Sequence, residues 1–456
     1  MLPPALLEGE PQSSVIWYES FRQSPKLCGR FGFAPSPTLR VSRLELAILQ
    51  QSPLLRLADQ CVKCGYCLPH CPTFRLYRDE AESPRGRIAL IQGLLTGELD
   101  NSERLGVHLD NCLECLACEP ACPSLVQFGA LMDGARAERV ARLPRWRRVL
   151  LRLRLDLLSN PRAHAPLALL SGLYRRMGLS WLLARLGLLR GGRLAVLDGL
   201  ARQLRWPRRL QVRDAGNLSH VDHETETDNV KAALFLGCVS RGLQPSTAQA
   251  ALDVLQRLGI AVRVPEGQSC CGAMHRHNGH PNAADALLAR NRVVFGRPEF
   301  TDCAVVGYAS ACVAELKQGL EAVELCRFLV EAHWPEALSP RALPGVVAVH
   351  EPCSHRNLLR DTAAVYALLA RIPALEVISL DGNETCCGAA GTYLLEHADT
   401  AQTLADDKIR HLAALAPRYL VTTNTGCAAH LAARIRAAGL AIEVLHPVEL
   451  IHRQLK

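Results

Sequence analysis

The chain reads Cys61-Val62-Lys63-Cys64-Gly65-Tyr66-Cys67-Leu68-Pro69-His70-Cys71-Pro72 and, further on, Cys112-Leu113-Glu114-Cys115-Leu116-Ala117-Cys118-Glu119-Pro120-Ala121-Cys122-Pro123. Both stretches, here called the first and second tetrads, have the spacing Cys-x2-Cys-x2-Cys-x3-Cys-Pro. Three closely spaced thiolates followed by Cys-Pro are typical of iron-sulfur sites. The spacing therefore predicts two [4Fe-4S] clusters in the first third of the chain.

The fourth cysteine of each tetrad is predicted to serve the other cluster, because that is how this spacing is used when two clusters lie side by side. The crossed groups would be Cys61, Cys64, Cys67 and Cys122 for cluster 1, and Cys112, Cys115, Cys118 and Cys71 for cluster 2. A pair of structural zinc sites is the alternative. Zinc ribbons need only two Cys-x2-Cys pairs and have no use for the final Cys-Pro, so the spacing favours iron and sulfide.

Length and cysteine content limit the class of protein. The chain has 456 residues, enough for about three domains, and 19 cysteines. Its first twelve residues carry Glu8 and Glu10 and no basic segment followed by an apolar one, so we expect no secretory leader. Thiols in a reducing cytoplasm serve as ligands more often than as disulfides. Arginines interrupt every apolar run that could span a bilayer.

The composition divides the chain into five predicted segments. Residues 1–50 are an extension of unknown role that holds an isolated cysteine, Cys28. Residues 51–135 hold both tetrads, whose spacing is that of two-cluster ferredoxins, and are here called the ferredoxin-type domain. We expect this domain to be α-helical because apolar residues recur on one helical face between Ile88 and Leu95. Residues 136–229 are an arginine-rich helical linker, and residues 230–340 and 341–456 are two α/β domains.

The linker holds nineteen arginines, no lysine and three acidic residues between Arg136 and Arg213. Prolines, among them Pro144, Pro161 and Pro166, are predicted to cut it into short amphipathic helices. Its basic residues could be solvated helix faces packed on neighbouring domains, or a patch that meets anionic lipid. No nucleic-acid motif accompanies the charge, so no nucleic-acid partner is expected.

The second half is predicted to be an internal duplication. A strand leads into Cys238 in one repeat and into Cys353 in the other, and a helix, a Cys-Cys-Gly triplet, a further strand and a last cysteine follow in both. This shared order of strands, helices and cysteines in the two halves indicates a duplication. Alternating strands and helices predict two parallel α/β units, here called CCG domain 1 and CCG domain 2. Their matched cysteines are Cys238, Cys270, Cys271 and Cys312, and Cys353, Cys386, Cys387 and Cys427.

Four cysteines per repeat are enough for one further iron-sulfur cluster in each CCG domain. Zinc or a redox-active thiol pair is the alternative, and a disulfide between adjacent cysteines would be strained. His275, His277 and His280 follow the first triplet but have no counterparts in the second, which argues against a shared metal role. We predict that His350 and His355 tune a cluster by hydrogen bonds or lie satisfied at the surface.

No catalytic residue and no nucleotide- or flavin-binding residue is predicted. A G-x-G-x-x-G after a strand and a P-loop are both absent from the sequence. The electron-carrying sites would therefore act on electrons delivered by another polypeptide.

The combination of motifs resembles the iron-sulfur subunit of bacterial glycolate oxidase over roughly residues 55 to 456. It rests on both tetrads, Ser83-Pro84-Arg85-Gly86-Arg87, Cys270-Cys271-Gly272, Cys386-Cys387-Gly388-Ala389-Ala390-Gly391-Thr392-Tyr393 and Thr425-Gly426-Cys427. Related domains of heterodisulfide reductase carry a further cysteine where this chain has Ala309 and Asn424. This departure argues against the unusual cluster of that enzyme.

The resemblance implies an electron-transfer subunit of an oxidoreductase complex that is not catalytic alone. A flavin-binding oxidase subunit would oxidise glycolate or lactate, and this chain would pass electrons toward the quinone pool. The alternatives are a subunit of a glycerol-3-phosphate dehydrogenase or heterodisulfide reductase-type complex, and an iron-sulfur scaffold or binding protein. The expected location is the cytoplasm, with peripheral binding to the inner-membrane surface.

Overall fold

The computed structural model describes residues 52–189, 191–205, 210–211 and 231–455. The predicted extension 1–50, Cys28 and the polar segment before CCG domain 1 lie outside these residues. The described residues belong to one compact unit. It is helical in its first half and contains two parallel sheets in its second, which confirms the predicted combination of α and α/β folds.

Short helices surround the two tetrads. They are α1 (Pro53–Asp59), α2 (Pro72–Tyr77), α3 (Pro84–Thr96), α4 (Glu103–Asp110) and α5 (Phe128–Ala141). Proline opens the first three of these helices, where its missing N–H costs no hydrogen bond. The Ser83 side chain caps α3 by accepting from the Gly86 N–H. Helix α5 continues past residue 135, the predicted end of the ferredoxin-type domain.

The arginine-rich region is helical, as predicted. It contains α6 (Arg145–Ser159), α7 (Pro161–Arg176), α8 (Leu179–Arg185) and α9 (Gly192–Gln203). The prediction that Pro166 ends a helix is wrong, because α7 passes through it. Pro166 is the sixth residue of α7, and its missing N–H removes one backbone hydrogen bond without ending the helix.

CCG domain 1 is built on a parallel sheet of order β2-β1-β3-β4. Its strands are β1 (Lys231–Phe235), β2 (Ala261–Arg263), β3 (Cys303–Gly307) and β4 (Ala322–Glu324). Its helices are α10 (Ser240–Leu243), α11 (Pro245–Arg257), α12 (Ala273–Arg276), α13 (Pro281–Phe295), α14 (Ser310–Leu316) and α15 (Leu325–Glu331).

CCG domain 2 repeats this topology with a sheet of order β6-β5-β7-β8, as expected for a duplicated unit. Its strands are β5 (Gly345–Val349), β6 (Leu375–Ser379), β7 (Tyr419–Val421) and β8 (Glu443–Leu445). A π-helical turn (Ser354–Leu359) is followed by α16 (Ala363–Leu369), α17 (Tyr393–Glu396), α18 (Ala398–Leu415), α19 (Thr425–Ala437) and α20 (Pro447–Gln454).

The two sheets face a shared core. Leu234 of β1 and Val349 of β5 lie in the same buried apolar cluster as Leu255 of α11 and Ile451 of α20. The opposite faces of the central strands, with Phe235 in one domain and Ala348 in the other, pack against the cysteine-bearing loops. The alternation of strand residues therefore directs one face to the common core and the other to the thiols.

Candidate metal centres

The predicted cluster 1 cysteines lie together. Cys61, Cys64, Cys67 and Cys122 line one cavity, which Ile88 and Phe128 close with apolar surface. Cys64 is exposed, whereas the other three are half-buried. Solvent or another protein can therefore approach a group that is bound in this cavity.

The predicted cluster 2 cysteines line a neighbouring cavity. Cys71, Cys112, Cys115 and Cys118 are all buried, and Cys118 borders both cavities. The two cavities are thus adjacent, and each tetrad supplies its final cysteine to the cavity lined by the other. Two neighbouring sets of four sulfur donors in largely apolar surroundings fit two [4Fe-4S] clusters.

Burial makes the cysteines of the second cavity poor thiolates without a cation. It raises the pKa of Cys112, and it raises the pKa of Cys115 and Cys118 well above the ordinary value. Arg87 and Arg136 oppose this effect at Cys112 through their positive charges. A positively charged iron core would supply the remaining compensation, since cluster ligands bind as thiolates.

The Ser-Pro-Arg-Gly-Arg motif builds the wall of the second cavity. Arg87 is 1% exposed and pairs with the buried Glu82 carboxylate. Its guanidinium also donates to the Thr73 hydroxyl (3.1 Å) and to the His108 carbonyl (2.8 Å). The motif is evident in the sequence, but the role of Arg87 is not, because its contact with the His108 carbonyl depends on how the helices pack.

In CCG domain 1 the four thiols form a contiguous group. The Sγ atoms of Cys238 and Cys270 are 3.4 Å apart, and Cys271 contacts both Cys270 and Cys312. Hydrogen bonds from Cys238 and then from Cys271 lower the pKa of Cys270 well below the ordinary value. The buried His275 adds to this effect.

His275 is fixed from outside the domain. Its Nε2 lies 3.0 Å from the Asp156 carboxylate on α6. CCG domain 2 has Gly391 at the corresponding distance from its triplet, so this histidine and carboxylate belong to the first group alone.

CCG domain 2 gathers its thiols in the same order. Cys353 contacts Cys386, Cys386 contacts Cys387, and Cys387 contacts Cys427. The buried His350 offers a nitrogen within 4.8 Å of the Cys387 and Cys427 sulfurs. Its Nδ1 lies 3.0 Å from the Thr422 hydroxyl, which would leave Nε2 as the donor to a metal. Burial, and then Lys408, lower the pKa of His350 to about 3, so the imidazole is neutral.

The Cys-Cys-Gly triplets place two thiols on one tight turn. Gly272 has φ +108° and Gly388 has φ +89°, a region that favours glycine. A Cβ on Gly388 would lie 2.6 Å from the Ala401 carbonyl oxygen of α18. The glycine therefore lets this helix cover the turn.

His277, His355 and Asn424 have structural partners. His277 pairs with Glu114 and Asp133, and these ion pairs join CCG domain 1 to the ferredoxin-type domain. The Asn424 side chain accepts from the N–H groups of Gly426 and Cys427 and so caps α19. His355 is buried, and its Nδ1 lies 2.8 Å from the Thr423 hydroxyl.

The described residues include no helix that is both long and apolar enough to cross a membrane.

Comparison with known families agrees with this division. The family described as "4Fe-4S dicluster domain" matches residues 57–126, and the family described as "Cysteine-rich domain" matches residues 232–317 and 347–432. The fold and its thiol groups thus define an iron-sulfur protein with one dicluster ferredoxin-type domain and two cysteine-rich domains.

Relatives that match most of the chain indicate its family. The glycolate oxidase iron-sulfur subunit of Escherichia coli is 30% identical over 87% of this chain and 94% of the relative. The probable glycolate oxidase iron-sulfur subunit of Bacillus subtilis is 28% identical over 86% and 92%. Lactate utilization protein A of Halalkalibacterium halodurans is 25% identical over 49% of this chain and 98% of the relative. The chain belongs to the family of glycolate oxidase iron-sulfur subunits.

Proposed function

We propose that this chain carries electrons in a 2-hydroxy-acid oxidase complex, from a flavin-binding partner toward the quinone pool. The observation that carries the proposal is the pair of adjacent cavities, each lined by all four cysteines of one crossed group. Glycolate is the favoured substrate of the complex because of the two relatives that match most of the chain. The lactate utilization relatives favour lactate as the second candidate.

The eight tetrad cysteines would hold two [4Fe-4S] clusters, and the CCG thiols would hold one further cluster in each domain. When bound, such clusters accept and release single electrons with little rearrangement. The protein's own side chains would shield the clusters from water and balance the charge of their ligands. Apolar side chains such as Ile88 and Phe128 exclude water, while Arg87 and Arg136 balance the negative charge of thiolates near Cys112.

The exposed position of Cys64 suits entry of electrons at cluster 1. The deeper cluster 2 cysteines lie toward the rest of the molecule. A flavin takes two electrons at once and can release them singly, so a series of one-electron centres can accept its electrons one at a time. The donor would therefore dock over the loop that holds Cys64.

Reconstitution with a flavin-binding oxidase subunit encoded beside this chain tests the proposal. The pure, iron-loaded chain should not oxidise glycolate or lactate, and turnover should appear when the partner is added. Cys64→Ser should remove about four irons and abolish reduction of a quinone analogue. Reduction of a dye directly by the partner's flavin should persist.

Cys303→Ser is the matched control, since Cys303 begins β3 outside both groups of thiols in the CCG domains. It should keep the iron and the quinone activity. Turnover by the pure single chain, or stoichiometric zinc in place of iron, would contradict the proposal.

We further propose that the arginine-rich helices bind an anionic membrane surface. Five large apolar side chains on α6 are exposed: Trp146, Val149, Leu150, Leu153 and Leu157. Arg145, Arg147, Arg148, Arg152 and Arg154 share that helix. Helices α7 and α8 add exposed Leu169, Leu170 and Trp181. Apolar and basic side chains mixed in this way are typical of helices that lie in a lipid interface.

Flotation with anionic liposomes tests this surface. The wild-type chain should float at low ionic strength and be released by salt, because each bound basic residue contributes about 1 kcal/mol that salt screens. Changing the five α6 arginines to glutamine should abolish flotation. The control changes five exposed arginines of the CCG domains, Arg290, Arg292, Arg360, Arg410 and Arg418, to glutamine. If the two variants float to the same extent, the membrane proposal fails, and α6 would instead be a docking surface for a protein partner.

A further inference from the structure

The second tetrad and the thiols of CCG domain 2 share one buried apolar cluster. Cys115, with 8% of its surface exposed, and Cys386, with 5%, lie in it together with Leu113, Tyr393 and Leu394. Cys353 packs at its edge. Cysteines that are far apart in the sequence therefore border a single dry junction.

Two hydrogen bonds hold this junction together. The Asn357 side-chain amide donates to the Cys115 carbonyl (2.7 Å), and the Tyr393 hydroxyl donates to the Asn111 side-chain oxygen (2.8 Å). Asn357 lies in the π-helical turn that follows Cys353, and Tyr393 begins the helix after the second triplet. These bonds join the segments that follow Cys353 and Cys387 to the second tetrad, at Cys115 and at Asn111, the residue before Cys112.

CCG domain 1 meets the ferredoxin-type domain in a different way. The contact is ionic: His277 pairs with Glu114 and Asp133, and Arg136 donates to the His277 carbonyl (2.8 Å). Its thiols instead lie beside His275, which α6 holds through Asp156. The two repeats are thus unequal in their relation to the tetrads, although their folds match.

We propose that electrons pass directly between the cluster 2 site and CCG domain 2, across the Cys115–Cys386 junction, and that CCG domain 1 takes no part in this step. The Cys71, Cys112, Cys115 and Cys118 thiolates would hold the one-electron donor and the thiolates of CCG domain 2 the acceptor, so that one electron would move from the first group to the second with no bond made or broken. Electron transfer falls steeply with distance, and this apolar cluster of the described residues holds thiols of both a tetrad and a CCG domain. This inference rests on the proposed function, because it requires a redox-active centre at both sites.

Electron paramagnetic resonance of the reduced full-length protein tests the route without any turnover. In the wild type, the cluster 2 signal should relax several-fold faster when the CCG domain 2 centre is paramagnetic. Cys387→Ser, which removes a ligand of that centre, should abolish the effect. Cys271→Ser, the equivalent change in CCG domain 1, should leave it intact. Iron content is measured beside each spectrum.

A second variant guards against misfolding of Cys387→Ser. Asn357→Ala removes only the hydrogen bond to Cys115, so it should keep full iron content and weaken the coupling. Coupling that survives Cys387→Ser, or that depends on Cys271 instead, overturns the route. Wild-type protein with no redox-active centre in CCG domain 2 overturns the proposed function of that domain, which is a different and separately visible result.

Discussion

Replacing Arg87 with leucine is expected to cost the ferredoxin-type domain about 3–5 kcal/mol and to empty the second cavity of iron. Glu82 would remain buried with its main cationic partner gone, and an uncompensated buried charge is far more costly than a missing surface contact. The Thr73 and His108 ends of the network would also separate. Thermal loss of visible absorbance and iron content of anaerobically purified protein measure both effects.

Two variants separate charge from packing in this prediction. Arg75→Leu removes an exposed arginine whose pair with Glu384 spans 3.9 Å, and it should change stability by no more than about 1 kcal/mol. Adding Glu82→Gln to Arg87→Leu should recover part of the loss, because the stranded carboxylate is neutralised. A wild-type melting profile for Arg87→Leu would show that Arg87 does not maintain the cavity.

Replacing Gly388 with alanine is expected to destabilise CCG domain 2 by about 2–5 kcal/mol. A residue with a side chain is strained at φ +89°, which costs about 1–2 kcal/mol. The new methyl would also lie 2.6 Å from the Ala401 carbonyl oxygen, and forcing extra volume into a packed site costs about 1–3 kcal/mol more. Displacement of Cys386 and Cys387 should release whatever metal this domain holds.

Gly439→Ala isolates the conformational part of this effect. Gly439 has φ +69°, but a Cβ added to it would meet open space, so only the conformational cost applies. Its stability should fall by about 1–2 kcal/mol, and its iron content should match the wild type. Equal losses in the two variants would mean that α18 yields and that the close approach to Ala401 does not hold the turn.

The duplication shows how much the sequence could predict. The Cys-Cys-Gly triplets and the matched strands led to two parallel α/β units, and the sheets have the same strand order. The sequence predicts a strand from Val346 to His350, whereas β5 runs from Gly345 to Val349, because a strand ends where its ladder of hydrogen bonds ends. The basic composition of the arginine-rich segment did not indicate which domain its helices contact. Its helix α9 packs on CCG domain 2, where Gln203 donates to the Ala429 carbonyl (2.7 Å).

Local spacing along the chain was enough to predict the two tetrads, the two Cys-Cys-Gly turns and the basic helical region. These features follow from residues that are close in sequence, because helical periodicity and ligand spacing are local properties. Which distant side chains meet could be learned only from the folded molecule. The placement of Asp156 beside His275 and the burial of Cys115 with Cys386 depend on how the domains pack. Packing is set by the fit of many side chains at once, and no spacing along one segment encodes that fit.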